Sequence, residues 1–116
     1  MFCTYDLHNH STASDGTLSP AELVGLAARS GVCVLALTDH DSTEGITEAR
    51  SAAVKAGITL IPGAEISVTW NKQTLHIVGL NLDIECCQLQ EGLRGLRAFR
   101  DQRALEIGER LEQSGI

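Results

Sequence analysis

The sequence predicts an α/β domain of parallel strands with flanking helices, followed by one long helix. Three observations carry this. The apolar runs Val32–Leu37 and Ile58–Ile61 have the length of buried strands. Segments with helix start and stop signals separate them, so strand and helix alternate at βαβ spacing. From about Gln88 the pattern changes: Leu89, Leu93, Leu96, Ala104, Ile107 and Leu111 recur at helical spacing without a break.

Each element has a local justification. Residues 2–7 read as a buried strand ending at the first histidine. Ser19 suits an N-cap, Pro20 the first helical position, and Glu22, three residues after the cap, completes a capping box. This helix carries Leu23, Leu26 and Ala27 on one face and stops at Gly31. The second strand is Val32–Leu37. Ser42 or Thr43 is then expected to cap a helix running to about Ala56, with Gly57 ending it. Ile58–Ile61 forms the third strand, which Pro62-Gly63 is expected to break or bend just before Glu65. Residues 66–70 and 74–80 suit an extended pair turning at Asn71-Lys72-Gln73. Residues 1–85 thus form one body and residues 86–116 a helix appended to it.

With 116 residues and 43% hydrophobic content, the chain can bury the core of one globular domain. A net charge of −6 gives no general nucleic-acid footprint. No apolar run reaches the roughly 20 residues of a membrane span. The opening MFCTYDLHNH lacks the basic and apolar regions of a signal peptide, so a cytoplasmic location without membrane contact is expected. The cysteines do not follow a zinc-ribbon spacing. Cys3 and Cys33 lie in apolar runs and are expected to be buried free thiols; Cys86-Cys87 is a neighbouring pair with no expected role.

The chemistry lies in the histidines. All four sit in short motifs with carboxylates: Asp6-Leu-His8-Asn-His10 followed by Asp15, then Thr38-Asp39-His40-Asp41, then Glu65 and His76. Side chains alternate along a strand, so Asp6, His8 and His10 share one side if the strand persists that far. His40 follows the second strand and Glu65 the third. In a parallel α/β sheet these positions meet at the carboxyl edge, where such folds place their sites. Mixed imidazole and carboxylate donors suit Zn, Mn or Fe, and a glutamate between two ions can bridge them. Ligating histidines want an acceptor behind their second nitrogen, for which Asp6, Asp39 and Asp41 are the nearest candidates. His76 alone, in the apolar run LHIVGL, would more often be a core histidine.

The stretches DLHNHSTASDGTLSP, LALTDHDST, IPGAEIS and LHIVGLN resemble the PHP (polymerase and histidinol phosphatase) domain family. The resemblance is nearest to its nucleoside 3′,5′-bisphosphate phosphatase and 5′-to-3′ exoribonuclease branch. It implies the N-terminal portion of a distorted (β/α)7 barrel holding up to three divalent ions. On that resemblance His8 and His10 would bind the first ion, Glu65 would bridge the first and second, His76 would bind the second, and Asp15 and His40 the third. Asp39 would stand behind these ligands and, with Glu65, belong to the catalytic centre. The family completes its ions with a later histidine and an Asp-x-His pair, whereas no histidine follows His76. The chain thus resembles the front of a longer protein, with the C-terminal half of the barrel missing and the last helix opening a helical insertion. Alone, such a piece is expected to be marginal, prone to associate and poor at holding metal.

The implied activity is phosphomonoester hydrolysis on a small nucleotide, nucleoside 3′,5′-bisphosphate, with RNA 5′ ends as a second substrate. Arg94, Arg97, Arg100 and Arg103 recur at three-residue steps; Arg103 and Arg110 are favoured for substrate phosphate, because DQRALEIGERL resembles the same branch. The competing reading of these arginines is a solvated face paired with Glu106, Glu109 and Glu112. Competing functions are a histidinol-phosphate-type phosphatase, a noncatalytic PHP module of a DNA polymerase, and an inactive truncated fragment.

Overall fold

The computed structural model describes residues 3–115. Its elements are β1 (Thr4–Asp6), α1 (Pro20–Arg29), β2 (Val32–Leu37), α2 (Ile46–Ala56), β3 (Thr59–Trp70), β4 (Gln73–Leu80) and α3 (Cys87–Gln113). One sheet runs in the order β1-β2-β3-β4. The β1–β2 and β2–β3 pairs are parallel, and β3–β4 is an antiparallel hairpin. The expected α/β half-barrel with a C-terminal helix is therefore present.

The helices cover the sheet through one core. Leu35 and Leu37, alternate residues of β2, pack against Val24 and Ala27 of α1 and Ile46, Ala49 and Ala53 of α2. The Ser19 capping box of α1 is formed, with Ser19 Oγ accepting from Glu22 N at 3.1 Å. Leu26, expected on the inner face, is 45% exposed, and Val24 takes its place. Gly57 ends α2 in the left-handed conformation its missing Cβ permits.

Four local expectations are corrected. First, neither Ser42 nor Thr43 caps α2. Ser42 Oγ accepts from Glu44 N at 3.1 Å and the Thr43 carbonyl accepts from Ile46 N at 3.1 Å, a separate turn that delays the helix to Ile46. Second, β3 runs straight through Pro62-Gly63. Pro62 faces Leu37 in the last β2–β3 pair, where a missing N–H is tolerated. Gly63 is needed beyond it, because a Cβ there would lie 2.6 Å from the Gly79 carbonyl oxygen across the hairpin. The hairpin turns on Asn71 and Lys72 alone, both with positive φ, and Gln73 already pairs with Trp70. Third, the helix expected from about Gln88 starts at Cys87, and its apolar stripe is covered only in the first half, where Leu89 and Leu96 are half-buried. Leu93 is buried, but every described residue after Arg97 is exposed. Ala104, Ile107 and Leu111 project with the free end of the helix.

The fourth correction concerns β1 and its cysteine. This strand is a short, largely exposed edge, and Phe2 lies outside the described residues. Cys3 is exposed and is bonded to Cys33, with Cα atoms 5.8 Å apart. The register slips between Thr4 and Tyr5, which leaves Cys33 unmatched between Val32 and Val34 and beside Cys3. A thiol titration of the unreduced chain should count Cys86 and Cys87 alone, and all four cysteines after reduction and unfolding. Closing a 30-residue separation implies that reduction costs about 3.6 kcal/mol of stability. Four reactive thiols before reduction would contradict the pairing.

Candidate metal centre

The site is built where β2, β3 and β4 present their chemistry to one side, and each short motif divides its labour residue by residue. The strand expected to carry Asp6, His8 and His10 stops at Asp6. The chain beyond it stays pinned through Asn9. Asn9 N donates to Thr38 Oγ1 at 3.0 Å, and its carbonyl accepts from Thr38 N at 2.8 Å. That tie directs His8 and His10, its neighbours on either side, to a common region, with ring centroids 5.1 Å apart.

The loop after His10 is drawn tight around Asp39, which is 1% exposed. The Asp39 carboxylate accepts from Ser11 N at 2.6 Å, Ser11 Oγ at 2.7 Å and Ser14 Oγ at 2.7 Å. Gly16 N closes the loop onto the Ser11 carbonyl at 2.8 Å, and a Cβ at Gly16 would lie 2.2 Å from the His10 carbonyl oxygen. Asp15 is carried on this loop. After β2, the 39–41 segment docks on β3: Glu65 N donates to the Asp39 carbonyl and Asp41 N to the Glu65 carbonyl, each at 3.0 Å. His40 and Glu65 are thereby set side by side. His76 enters from β4, paired in register with Ser67 and so on the same face as Glu65.

Glu65 stands at the centre. Its Oε1 lies 2.7 Å from His8 Nε2. Its Oε2 lies 2.8 Å from His40 Nδ1, 3.8 Å from His76 Nδ1 and 3.9 Å from His10 Nε2. Asp15 sits on the far side, with its oxygens 3.1 Å from His40 Nε2 and 3.8 Å from His10 Nδ1. Three groups result in which one donor atom from each residue lies within 4.8 Å of the others: His8, His10 and Glu65; His10, Asp15 and His40; His40, Glu65 and His76. Glu65 belongs to two of them. The His10 and His40 rings stack at 4.4 Å, so each offers one nitrogen toward Glu65 and the other toward Asp15.

The donor set fits divalent cations. His10 Nδ1 and His40 Nδ1 are buried yet make no hydrogen bond among the described residues. The 2.8 Å approach of His40 Nδ1 to Glu65 is thus a close contact without hydrogen-bond alignment. Buried polar atoms without partners are costly unless a ligand takes them up. Imidazole and carboxylate together suit first-row divalent ions.

All six residues expected to bind metal are therefore brought together, and His76, 48% exposed in its side chain, is no core histidine. The expected acceptors behind the histidines are otherwise engaged. Asp39 is filled by serine donors, and Asp41 Oδ1 accepts from Ser67 N at 2.8 Å while its Oδ2 pairs with Arg100. Asp6 Oδ1 is reached by the His8 backbone N at 3.5 Å, and no imidazole bonds to it among the described residues. Of the favoured arginines, Arg103 lines the cleft containing Asp15, His40 and His76, a space of about 710 Å³, whereas Arg110 borders a separate groove along α3. Arg100 lines the main cleft as well. Sequence reasoning missed the roles of Ser11, Ser14, Thr38, Ser67 and Arg100. The abundance of serine and threonine around DLHNHSTAS was a signal that could have suggested the first two.

Comparison with known proteins gives the family and the fold. The PHP domain model matches residues 6–103. A "5'-3' exoribonuclease" of Haemophilus influenzae is 54% identical over 97% of this chain and 41% of its own length. A "3',5'-nucleoside bisphosphate phosphatase" of Chromobacterium violaceum is 47% identical over 96% of this chain and 39% of its own. The solved structure of an amidohydrolase from Chromobacterium violaceum, with bound sulfate and no metal, superposes with a TM-score of 0.90 at 46% identity, covering 98% of this chain and 40% of that one. The chain thus spans about two fifths of the length of the curated relatives it matches. Among the described residues no helix is long and apolar enough to cross a membrane. With a family model covering most of its length and its donor residues gathered around Glu65, the chain belongs to the PHP domain family.

Proposed function

We propose that this chain supplies the metal-binding part of a phosphoesterase that hydrolyses nucleotide phosphomonoesters, with nucleoside 3′,5′-bisphosphate as the first substrate and RNA 5′ ends as a second. The observation that carries the reading is Glu65, whose carboxylate is shared by two of three donor groups on one side of an open cleft. Up to three divalent ions, Mn, Zn or Fe, would activate water and offset charge on the phosphoryl oxygens when bound. His8 and His10 with Glu65, Asp15 with His10 and His40, and His76 with His40 and Glu65 are the residues that would hold them. Across the cleft, α3 presents Arg103, whose N–H groups can receive a substrate phosphate, while Arg100 beside it is engaged with Asp41. Phe99 offers an apolar surface to the rest of a nucleotide. The cleft volume is within the range of small-molecule sites. Arg110 would act only on a substrate extending along α3, as an RNA chain would.

The test is phosphate release from nucleoside 3′,5′-bisphosphate by the complete gene product. Release should require added Mn²⁺, stop on chelation and be lost in His8→Ala. Histidinol phosphate is the second substrate arm. Preferential release from it would overturn the nucleotide assignment, and release untouched by chelation and by His8→Ala would overturn the metal centre.

A further inference from the structure

One cluster beside the site lies outside the three donor groups. Asp41 is 1% exposed and adopts a left-handed backbone, φ 50°, uncommon for a residue with a side chain. Four contacts hold it. Its N donates to the Glu65 carbonyl at 3.0 Å, and its Oδ1 accepts from Ser67 N at 2.8 Å. Its carbonyl accepts from Arg97 Nη1 at 2.8 Å. Its Oδ2 pairs with Arg100 Nη2, which also reaches Ser67 Oγ at 3.4 Å. The first two contacts come from β3 at and just past Glu65, and the two arginines come from α3, 56 and 59 residues along the chain.

We infer that Arg97 and Arg100 are positioning residues that hold His40 against Glu65 by fixing Asp41. Asp41 is bonded directly to His40, so anchoring Asp41 fixes the stretch of chain that carries His40. Its left-handed turn is disfavoured on its own and persists because both faces of the residue are pinned. Removing the α3 contacts leaves Oδ2 and the carbonyl of Asp41 without partners, while Oδ1 keeps Ser67 N, and the strain is relieved if the 40–41 segment shifts toward solvent. That movement separates His40 from both Glu65 and Asp15 and so weakens the two donor groups containing His40. The group of His8, His10 and Glu65 is held by Asn9 and β3 and does not depend on α3. The proposal rests on the metal-centre reading and adds that α3 sets part of that centre's geometry.

Titration of the complete gene product with Co²⁺, read by visible absorption and by bound-ion stoichiometry, tests it. Wild type should take up cobalt in more than one class of site. Arg97→Ala/Arg100→Ala should keep one class and bind the other at least about tenfold more weakly, the range for residues that orient metal ligands, with a changed absorption band. Asp41→Asn keeps a side chain tolerant of left-handed backbone and should show the same loss through its missing charge. Arg100→Lys in an Arg97 wild-type background should recover part of it. Val24→Ala, a core truncation, should lower the unfolding midpoint while leaving the cobalt titration as in wild type. Unchanged cobalt spectra and affinities in both the double variant and Asp41→Asn overturn the proposal alone. An equal loss in Val24→Ala also overturns it, by making the effect one of general stability. A wild type that takes up no cobalt overturns the metal reading and the proposal with it.

Discussion

Glu65→Ala should strip the centre of most of its metal and end phosphate release while leaving the fold intact. The side chain is the carboxylate that two of the three donor groups share. One carboxylate oxygen faces His8 and the other faces His10, His40 and His76. Removing any one histidine leaves the shared carboxylate in place beside the others, whereas removing Glu65 takes an anionic donor from two groups at once. Imidazoles alone then have to meet the charge of two cations in a 6% exposed position, so affinity should fall by well over the roughly hundredfold seen when a ligand-orienting group is lost. The rate should fall at least as far, since stabilising the charge that develops at the reacting group commonly contributes more to such catalysis than any other effect. The fold is spared because Glu65 is held in β3 by its backbone, through the Asp39 carbonyl and Asp41 N. Metal content by elemental analysis, phosphate release and the unfolding midpoint, measured together on the complete gene product, check this. Glu65→Gln keeps the shape without the charge and should fall between. A Glu65→Ala protein with wild-type metal content would remove the basis of the proposed function.

The two kinds of information in the sequence fared differently. Signals that act within a few residues were legible: the Ser19 and Glu22 capping box, the left-handed Gly57, the apolar run of β2, and the motifs that end on His8, His40 and Glu65. Parallel topology brings His40, just past β2, beside Glu65, so that meeting could be read without coordinates, but Glu65 lies within β3 rather than after it and His76 arrives from the antiparallel β4. What depended on register or docking was not legible. Cys3 pairs with Cys33 because of a slip in the β1–β2 ladder that no local pattern encodes. Pro62 is tolerated because the β2 ladder ends opposite it. The three-residue arginine series identifies a helix face, but which arginine meets Asp41 depends on where α3 lies against the loop between β2 and α2. Sequence alone favours Arg110 beside Arg103; the helix places Arg100, more than two turns before Arg110, in the cleft with Arg103.

Asp39→Ala should be the most destabilising single change near the site, and it should act on metal through the loop that Asp39 holds. The family resemblance groups Asp39 with Glu65 as catalytic, but its carboxylate faces Ser11 and Ser14, and both oxygens are engaged there. Alanine leaves the Ser11 amide and two hydroxyls without their acceptor in a region where Ser11 is fully buried and Asp39 1% exposed. An unsatisfied buried donor costs about 1–3 kcal/mol, and the hydroxyls can turn to other partners more easily than the amide can. A total loss of about 3 kcal/mol is therefore expected, a large share of a small domain's stability. Asp39→Asn keeps the Oδ1 acceptor for Ser11 N and Ser14 Oγ, replaces only the partner of Ser11 Oγ, and should lose less than half as much. The functional consequence is specific: the 11–16 loop carries Asp15, so the group of His10, Asp15 and His40 should weaken, while His8, His10 and Glu65 keep their geometry through Asn9 and β3. Chemical denaturation gives the stability change, and metal stoichiometry at a temperature where the variant remains folded gives the second. If Asp39→Ala folds with wild-type stability but loses activity, Asp39 touches the reacting groups after all, and the serine cage around it is incidental.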